Sequence, residues 1–237
     1  MVLSNPVELT VLLLFLAFFS ILSYKKKLLD FEGILIGNTV GLAAIIYGPN
    51  PFVDFGIVVL FFVFGEIASN YPRKKHEERN IWNVIGNSLP ALITLLPLII
   101  LPKLTYYDFI FELAFFGAIS AALADTLSSE IGYYSKSKVI LITTFKPVAK
   151  GTDGGVTLLG EVAALFGGLI IGGVYFFVYS NLLAAIAIVL AGIVGSNSDS
   201  VAGAIFETKK ILNNTQVNMI GSSCGAIFCF IIGLFLF

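Results

Sequence analysis

Apolar runs of membrane-crossing length, about 16 to 21 residues each, recur along the chain and are separated by polar connections. They fall at 8–23, 33–48, 54–70, 81–101, 109–127, 157–178, 181–198 and 218–237, which predicts an all-α, polytopic integral membrane domain of about eight transmembrane helices. The first run has no basic stretch before it and no small-residue cleavage signature after it, so it reads as a span and not as a leader. The connections alternate in kind. "GPNP", "KLTYYD" and "YSN" are short, whereas the stretches 70–88, 125–156 and 195–218 are long and carry nearly all the polar residues.

Charge then orients the array. With the N-terminus outside, the inner connections hold Lys25, Lys26 and Lys27; Arg73, Lys74, Lys75 and Arg79; Lys136, Lys138, Lys146 and Lys150; and Lys209 and Lys210. Only Lys103, of 14 lysines and arginines, falls outside. A bias of this strength predicts both termini outside and the long loops on the cytoplasmic face. With 57% hydrophobic and 12% charged residues an ordinary soluble domain is excluded, and a net charge of −1 carries no information about partners. Cys224 and Cys229 share the last span and read as small apolar residues. His76, in "YPRKKHEERN", has no second His or Cys nearby and reads as a solvated side chain.

Candidate chemistry gathers on the inner side. Asp125, in "AALADTLSSEIG", lies in the last turns of an inward-running helix. There the helix dipole opposes an acid by a few tenths to about 1 kcal/mol. Deeper in lipid the cost would be roughly 2.5 to 3.5 kcal/mol, so a cation should accompany it. Asp199, at the inner end of span seven, is its counterpart. The two could share Mg²⁺ through oxygen ligands, with Glu130 and Glu207 as further candidates, or pair with interfacial lysines. Between them lies "TTFKPVAKGTDGGVTLLGE", residues 143–161. Its Gly154 and Gly155 precede span six, where unencumbered amides and the first N–H groups of the helix suit a phosphate. Lys146 and Lys150 add charge, Pro147 restricts the loop, Gly151 permits a tight bend, and Thr152 or Asp153 is placed to cap the helix. Asn80, Asn83 and Asn87 form one helical stripe, and Asn214 and Asn218 repeat the spacing; such amides either join helices or meet a ligand. Gly37/Gly41, Gly168/Gly172 and Gly221/Gly225 form G-x-x-x-G pairs that fit close helix packing, and Pro90 and Pro97 predict kinks in span four. Neither a P-loop nor G-x-G-x-x-G occurs.

Acids for a divalent cation, lysines and glycine amides suit a polyphosphate, and their depth in the bilayer suits a lipid whose phosphate or hydroxyl lies at the interface. The blocks "ALADTLSSEIG", "ITTFKPVAKGTDGGVTLLG" and "GSNSDSVAGAIFET…NNTQVN" resemble, in order, those of the transmembrane protein 19 family, which includes the plant phytyl-phosphate kinases. The segment "RNIWNVIGN" is similar to a further family region, with Asn83 where glutamine is usual; in the loop block, Asp153 stands where a small polar residue is usual. The resemblance implies a catalytic region over 65–237, with 1–64 supplying three peripheral helices of a single transmembrane domain. It further implies a CTP- and Mg²⁺-dependent kinase that converts an isoprenyl monophosphate, of the phytyl or geranylgeranyl type, to the diphosphate. The two readings together assign Asp125, Asp199 and Lys146 to transfer and Asp125, Glu130 and Asp199 to metal. They assign Lys146, Lys150, Gly151, Thr152, Gly154, Gly155, Asn87 and Asn218 to the nucleotide. The implied partners are CTP or another nucleoside triphosphate, the isoprenyl phosphate and the bilayer, with a homodimer left open and no nucleic acid. A lipid cytidylyltransferase, a prenol kinase and a small-solute transporter are the competing readings.

Overall fold

The computed structural model describes residues 6–70, 81–101 and 105–236. Asn80, His76, Lys103 and the basic connection at 71–80 lie outside the described residues. Nine α-helices occur among those described: α1 (Pro6–Lys26), α2 (Phe31–Tyr47), α3 (Pro51–Ser69), α4 (Ile81–Leu95), α5 (Pro97–Ile100), α6 (Thr105–Gly132), α7 (Leu158–Tyr179), α8 (Leu182–Ala202) and α9 (Asn214–Leu236). Seven membrane-crossing helical segments result, α4 and α5 counting as one broken span; α2 has 17 residues and is the short eighth. The expected array of about eight is therefore present. Pro90 lies inside α4, while Pro97 opens α5 after the break at Leu96.

Helix α6 is the axis of the bundle. Its Phe115, Phe116, Ile119 and Leu123 are wholly buried, and α3, α4, α7, α8 and α9 all pack on it. At 28 residues α6 is about 42 Å long, so it outruns a hydrocarbon core of about 30 Å and carries its last turns, with Asp125 and Glu130, to the interface. Around it the helices meet at backbone distance. A Cβ on Gly195 would lie 2.9 Å from the Gly221 carbonyl, and one on Gly168 would lie 2.8 Å from that of Val189. Small residues permit this approach where lipid supplies no hydrophobic drive between helices.

The α6–α7 connection is the exception to the all-α plan among the described residues. It folds as a three-stranded antiparallel sheet, β1 (Val139–Leu141) flanked by β2 (Pro147–Val148) and β3 (Gly155–Val156), with Ile140 opposite Pro147 and Val156. After α8 the chain makes a π-helical turn, Gly203–Glu207, of the kind frequent at functional sites.

Candidate active site

The ends of α6 and α8, the starts of α4 and α9, and the sheet loop enclose one polar cavity of about 350 Å³. Asp125 and Ser129 enter from α6, Asp199 from α8, Asn83 and Asn87 from α4, and Asn214 and Asn218 from α9. These helix ends are held by specific contacts. A Cβ on Gly86 would lie 3.0 Å from the Thr215 carbonyl, which sets the two asparagine pairs against each other across the α4–α9 seam. Asp30 caps α2 by accepting from the Gly33 amide at 2.7 Å, and its second oxygen accepts from the Ile81 amide at 3.2 Å, fixing the start of α4.

The buried Ser196 hydroxyl lies beside the Asp125 carboxylate. In the amide orientation that satisfies both neighbours, Asn218 donates to the Asn214 carbonyl and to Asp199 Oδ2, each at 3.1 Å. Asp125 and Glu207 both face Asp199 closely enough for their charges to interact. Asp199 and Glu207 both line the cavity, and Glu207 ends the π turn that follows α8.

The loop is more ordered than a flexible glycine connection. Gly151 and Gly154 adopt φ of +83° and +76°, a region that L-residues avoid. At Gly154 space is also lacking, since a Cβ would lie 2.8 Å from Ala204 Cα. The loop is thereby pinned to the turn after α8, and Asp199 and Gly154 line one wall. Lys150 Nζ donates to the Ser135 carbonyl at 3.3 Å and lies over the Tyr133 ring, 4.9 Å from its centroid. Among the described residues it is the one lysine or arginine that lines the cavity.

Several expectations change. Neither Thr152 nor Asp153 caps α7; the cap is Thr157, whose hydroxyl accepts from the Gly160 amide at 3.0 Å. The α7 start therefore lies beyond the glycines, because β3 intervenes. The Gly155 amide is not free for a ligand either, since it donates to the Thr152 carbonyl at 2.9 Å. Asp153, freed from capping, lines the cavity, as do Gly151, Thr152, Gly154 and Gly155. Lys146 does not; it is exposed in the turn leading into β2.

Glu130 is set apart from the other acids. Five residues beyond Asp125 on one helix, it is rotated by about 140° from it, and at the cavity rim it accepts from Ser69 Oγ of α3 at 3.3 Å. Among the described residues no three His, Cys, Asp or Glu side chains form a metal-holding group, so Asp125, Glu130 and Asp199 are not a three-acid cage. The remaining donor set still fits Mg²⁺, which is commonly held by one or two carboxylates together with substrate phosphates and water. Ser129, Tyr133, Thr157 and Ser200 line the cavity beyond the residues singled out from sequence, because only the packing of distant helices and the sheet brings them there.

The integral membrane protein DUF92 family model matches residues 14–226. An uncharacterized membrane protein of Methanocaldococcus jannaschii is 34% identical over 93% of this chain and 92% of its own. Protein VTE6, chloroplastic, of Arabidopsis thaliana is 30% identical over 76% of this chain and 58% of its own, and protein PGR of the same plant is 31% identical over 78% and 74%. No solved structure matches. Over nearly its whole length, then, this multi-pass chain belongs to the integral membrane protein DUF92 family.

Proposed function

We propose that the chain is a lipid-directed phosphotransferase that moves the terminal phosphoryl group of a nucleoside triphosphate, CTP by the family resemblance, onto an isoprenyl monophosphate. The observation that carries this reading is the placing of Asp125 and Asp199, from two helix ends, in one interfacial cavity closed by the Gly151–Gly154 turn and Lys150. In the reaction a phosphate oxygen of the lipid forms a P–O bond to the terminal phosphorus, and the bond from that phosphorus to the nucleoside diphosphate oxygen breaks. The products are the isoprenyl diphosphate and the nucleoside diphosphate.

Little covalent work falls to the protein in such a transfer; positioning and charge neutralisation dominate. Mg²⁺, held by Asp125 and Asp199, would supply Lewis-acid neutralisation of the phosphate oxygens. Lys150 supplies a cation to the same cavity. Asn218 orients the Asp199 carboxylate, and Ser196 lies beside that of Asp125. The resemblance of the three sequence blocks to the transmembrane protein 19 family and the charge asymmetry of the connections support a membrane lipid as acceptor and a cytoplasmic nucleotide as donor.

The test is incubation of the purified protein in detergent with Mg²⁺, each of the four nucleoside triphosphates and a panel of prenols and prenyl phosphates. Label from the γ-phosphate is expected on a prenyl diphosphate. Failure to form one with any donor sinks the reading, and label released as pyrophosphate identifies a cytidylyltransferase in its place.

A further inference from the structure

We propose that the apolar groove enclosed by α1, α2, α3 and α4 seats the isoprenyl tail of the lipid substrate, with Asn83 and Asn87 marking where tail gives way to phosphate. The inference rests on the phosphotransfer reading of the polar cavity and adds the place of the substrate's hydrocarbon. Leu16 and Phe19 of α1, Gly37 of α2, and Val58 and Phe62 of α3 form the walls, and Ile119 of α6 reaches in from the core. Asn83 and Asn87 line this groove and the polar cavity alike, so the two spaces adjoin at one amide stripe.

Three polar side chains along the groove, Ser20, Ser88 and Asn87, find partners within the protein. Ser20 Oγ lies 2.6 Å from Asn38 Oδ1, Ser88 Oγ donates to the Val84 carbonyl at 2.6 Å, and the Asn87 amide nitrogen donates to the Asn83 carbonyl at 2.9 Å. An occupant is thus offered hydrocarbon contact with little call for hydrogen bonds, which is what an isoprenyl chain requires. A bilayer acyl chain would be equally apolar but has no use for a junction with a cavity lined by Lys150 and two acids.

The G-x-x-x-G pair in α2 points the same way. Gly41 is a packing residue, with a Cβ there only 3.2 Å from the Phe55 ring, whereas at Gly37 the nearest atom would be Leu29 Cδ1 at 4.0 Å. Gly37 therefore keeps the groove open and does not bring helices together. Helices α1 to α3, peripheral to the catalytic region in sequence, acquire a role as the tail site.

The experiment compares Gly37→Leu with Gly56→Leu, whose added Cβ meets nothing within 4 Å and which lies outside the groove lining. Gly37→Leu is expected to raise KM for a prenyl phosphate of some twenty carbons by about tenfold or more, as loss of a few buried methylenes implies. KM for nucleotide and for a five-carbon prenyl phosphate should stay within about twofold, and Gly56→Leu should match the wild type. An unchanged twenty-carbon KM in folded Gly37→Leu overturns the proposal. Should that variant not fold, the wild-type protein is photolysed with a long prenyl phosphate carrying a diazirine at its far end. Adducts on α1–α4 that unlabelled prenyl phosphate displaces support the groove. Adducts confined to α7–α9, or adducts displaced by phospholipid and not by prenyl phosphate, overturn it. A wild-type protein that makes no prenyl diphosphate fails the phosphotransfer reading first, and the cross-link still reports separately where the tail lies.

Discussion

The two ends of the bundle both hold acids, and they treat them differently. At the loop-bearing end Asp125 and Asp199 face an open cavity beside Lys150. At the other end Asp54, near the start of α3, is fully buried, Glu112 of α6 is 5% exposed, and the Tyr179 hydroxyl at the end of α7 donates to Glu112. Asp54 Oδ2 accepts from the Asn50 amide at 2.9 Å, and Gly48 packs so closely that a Cβ there would lie 2.9 Å from Asp54 Cβ. The Tyr179 ring stacks 4.6 Å from Tyr175, which meets Phe116 at 5.0 Å. Neither Asp54 nor Glu112 lines the cavity or the groove. Short connections, "GPNP" and "YSN", close the far end, whereas a 25-residue connection between α6 and α7 leaves room for a ligand at the near one. What the space around a carboxylate admits, more than the carboxylate itself, separates a reactive site from a packing knot.

The largest effect that tests this asymmetry is expected from Asp199→Asn and Asp125→Asn. Each keeps the side-chain shape and a side-chain oxygen beside Asn218 or Ser196 but removes a charge from the phosphate-facing wall. A fall in kcat of roughly 10²–10³-fold or more is expected, with the elution profile and thermal midpoint in detergent preserved. Glu112→Gln, the matching change at the far end, should leave kcat within about threefold. Equal losses at both ends would abolish the distinction and favour a polar path through the bundle.

Tyr179→Phe comes next and should act on stability in place of turnover. It keeps the ring against Tyr175 but leaves Glu112 without that donor, at a cost of about 1–3 kcal/mol. The readout is a lowered thermal midpoint with KM for both substrates unchanged. Loss of activity at an unchanged midpoint would instead tie the far end to the reaction.

How legible each end was in sequence follows from the physics of its elements. The spans stood out because lipid requires long unbroken apolar runs whose backbone bonds close within the helix. Asp125 and Asp199 stood out because charge is rare in such a chain, and the loop glycines because they cluster beside lysines just before a span. The far-end acids did not, since Asp54 and Glu112 meet only when α3, α6 and α7 pack. Strands of three, two and two residues carry no readable period, so the sheet went unforeseen, and with it the shift of the α7 cap to Thr157. The asparagine stripe was visible, but not that Asn83 and Asn87 divide a polar space from an apolar one; that depends on how α4 is set between α2 and α9.

The smallest expected effect separates two lysines that sequence treats alike. Lys146 and Lys150 lie four residues apart in one glycine-rich loop, yet the β1–β2 pairing sets Lys146 in an outward turn and brings Lys150 to the cavity. Lys150 is held in place by the Ser135 carbonyl and the Tyr133 ring, so its charge is offered to an anion with part of its freedom already spent. Lys150→Ala should raise nucleotide KM by about three- to tenfold, and raised salt should narrow that gap because the site is open to water. Lys146→Ala should change nucleotide KM by less than about twofold, in line with an exposed charge remote from the ligand. Nucleotide binding measured by calorimetry on both variants decides the matter. A larger loss at Lys146 would mean that the loop turns over when nucleotide binds, and that its phosphate-facing side is the one now exposed.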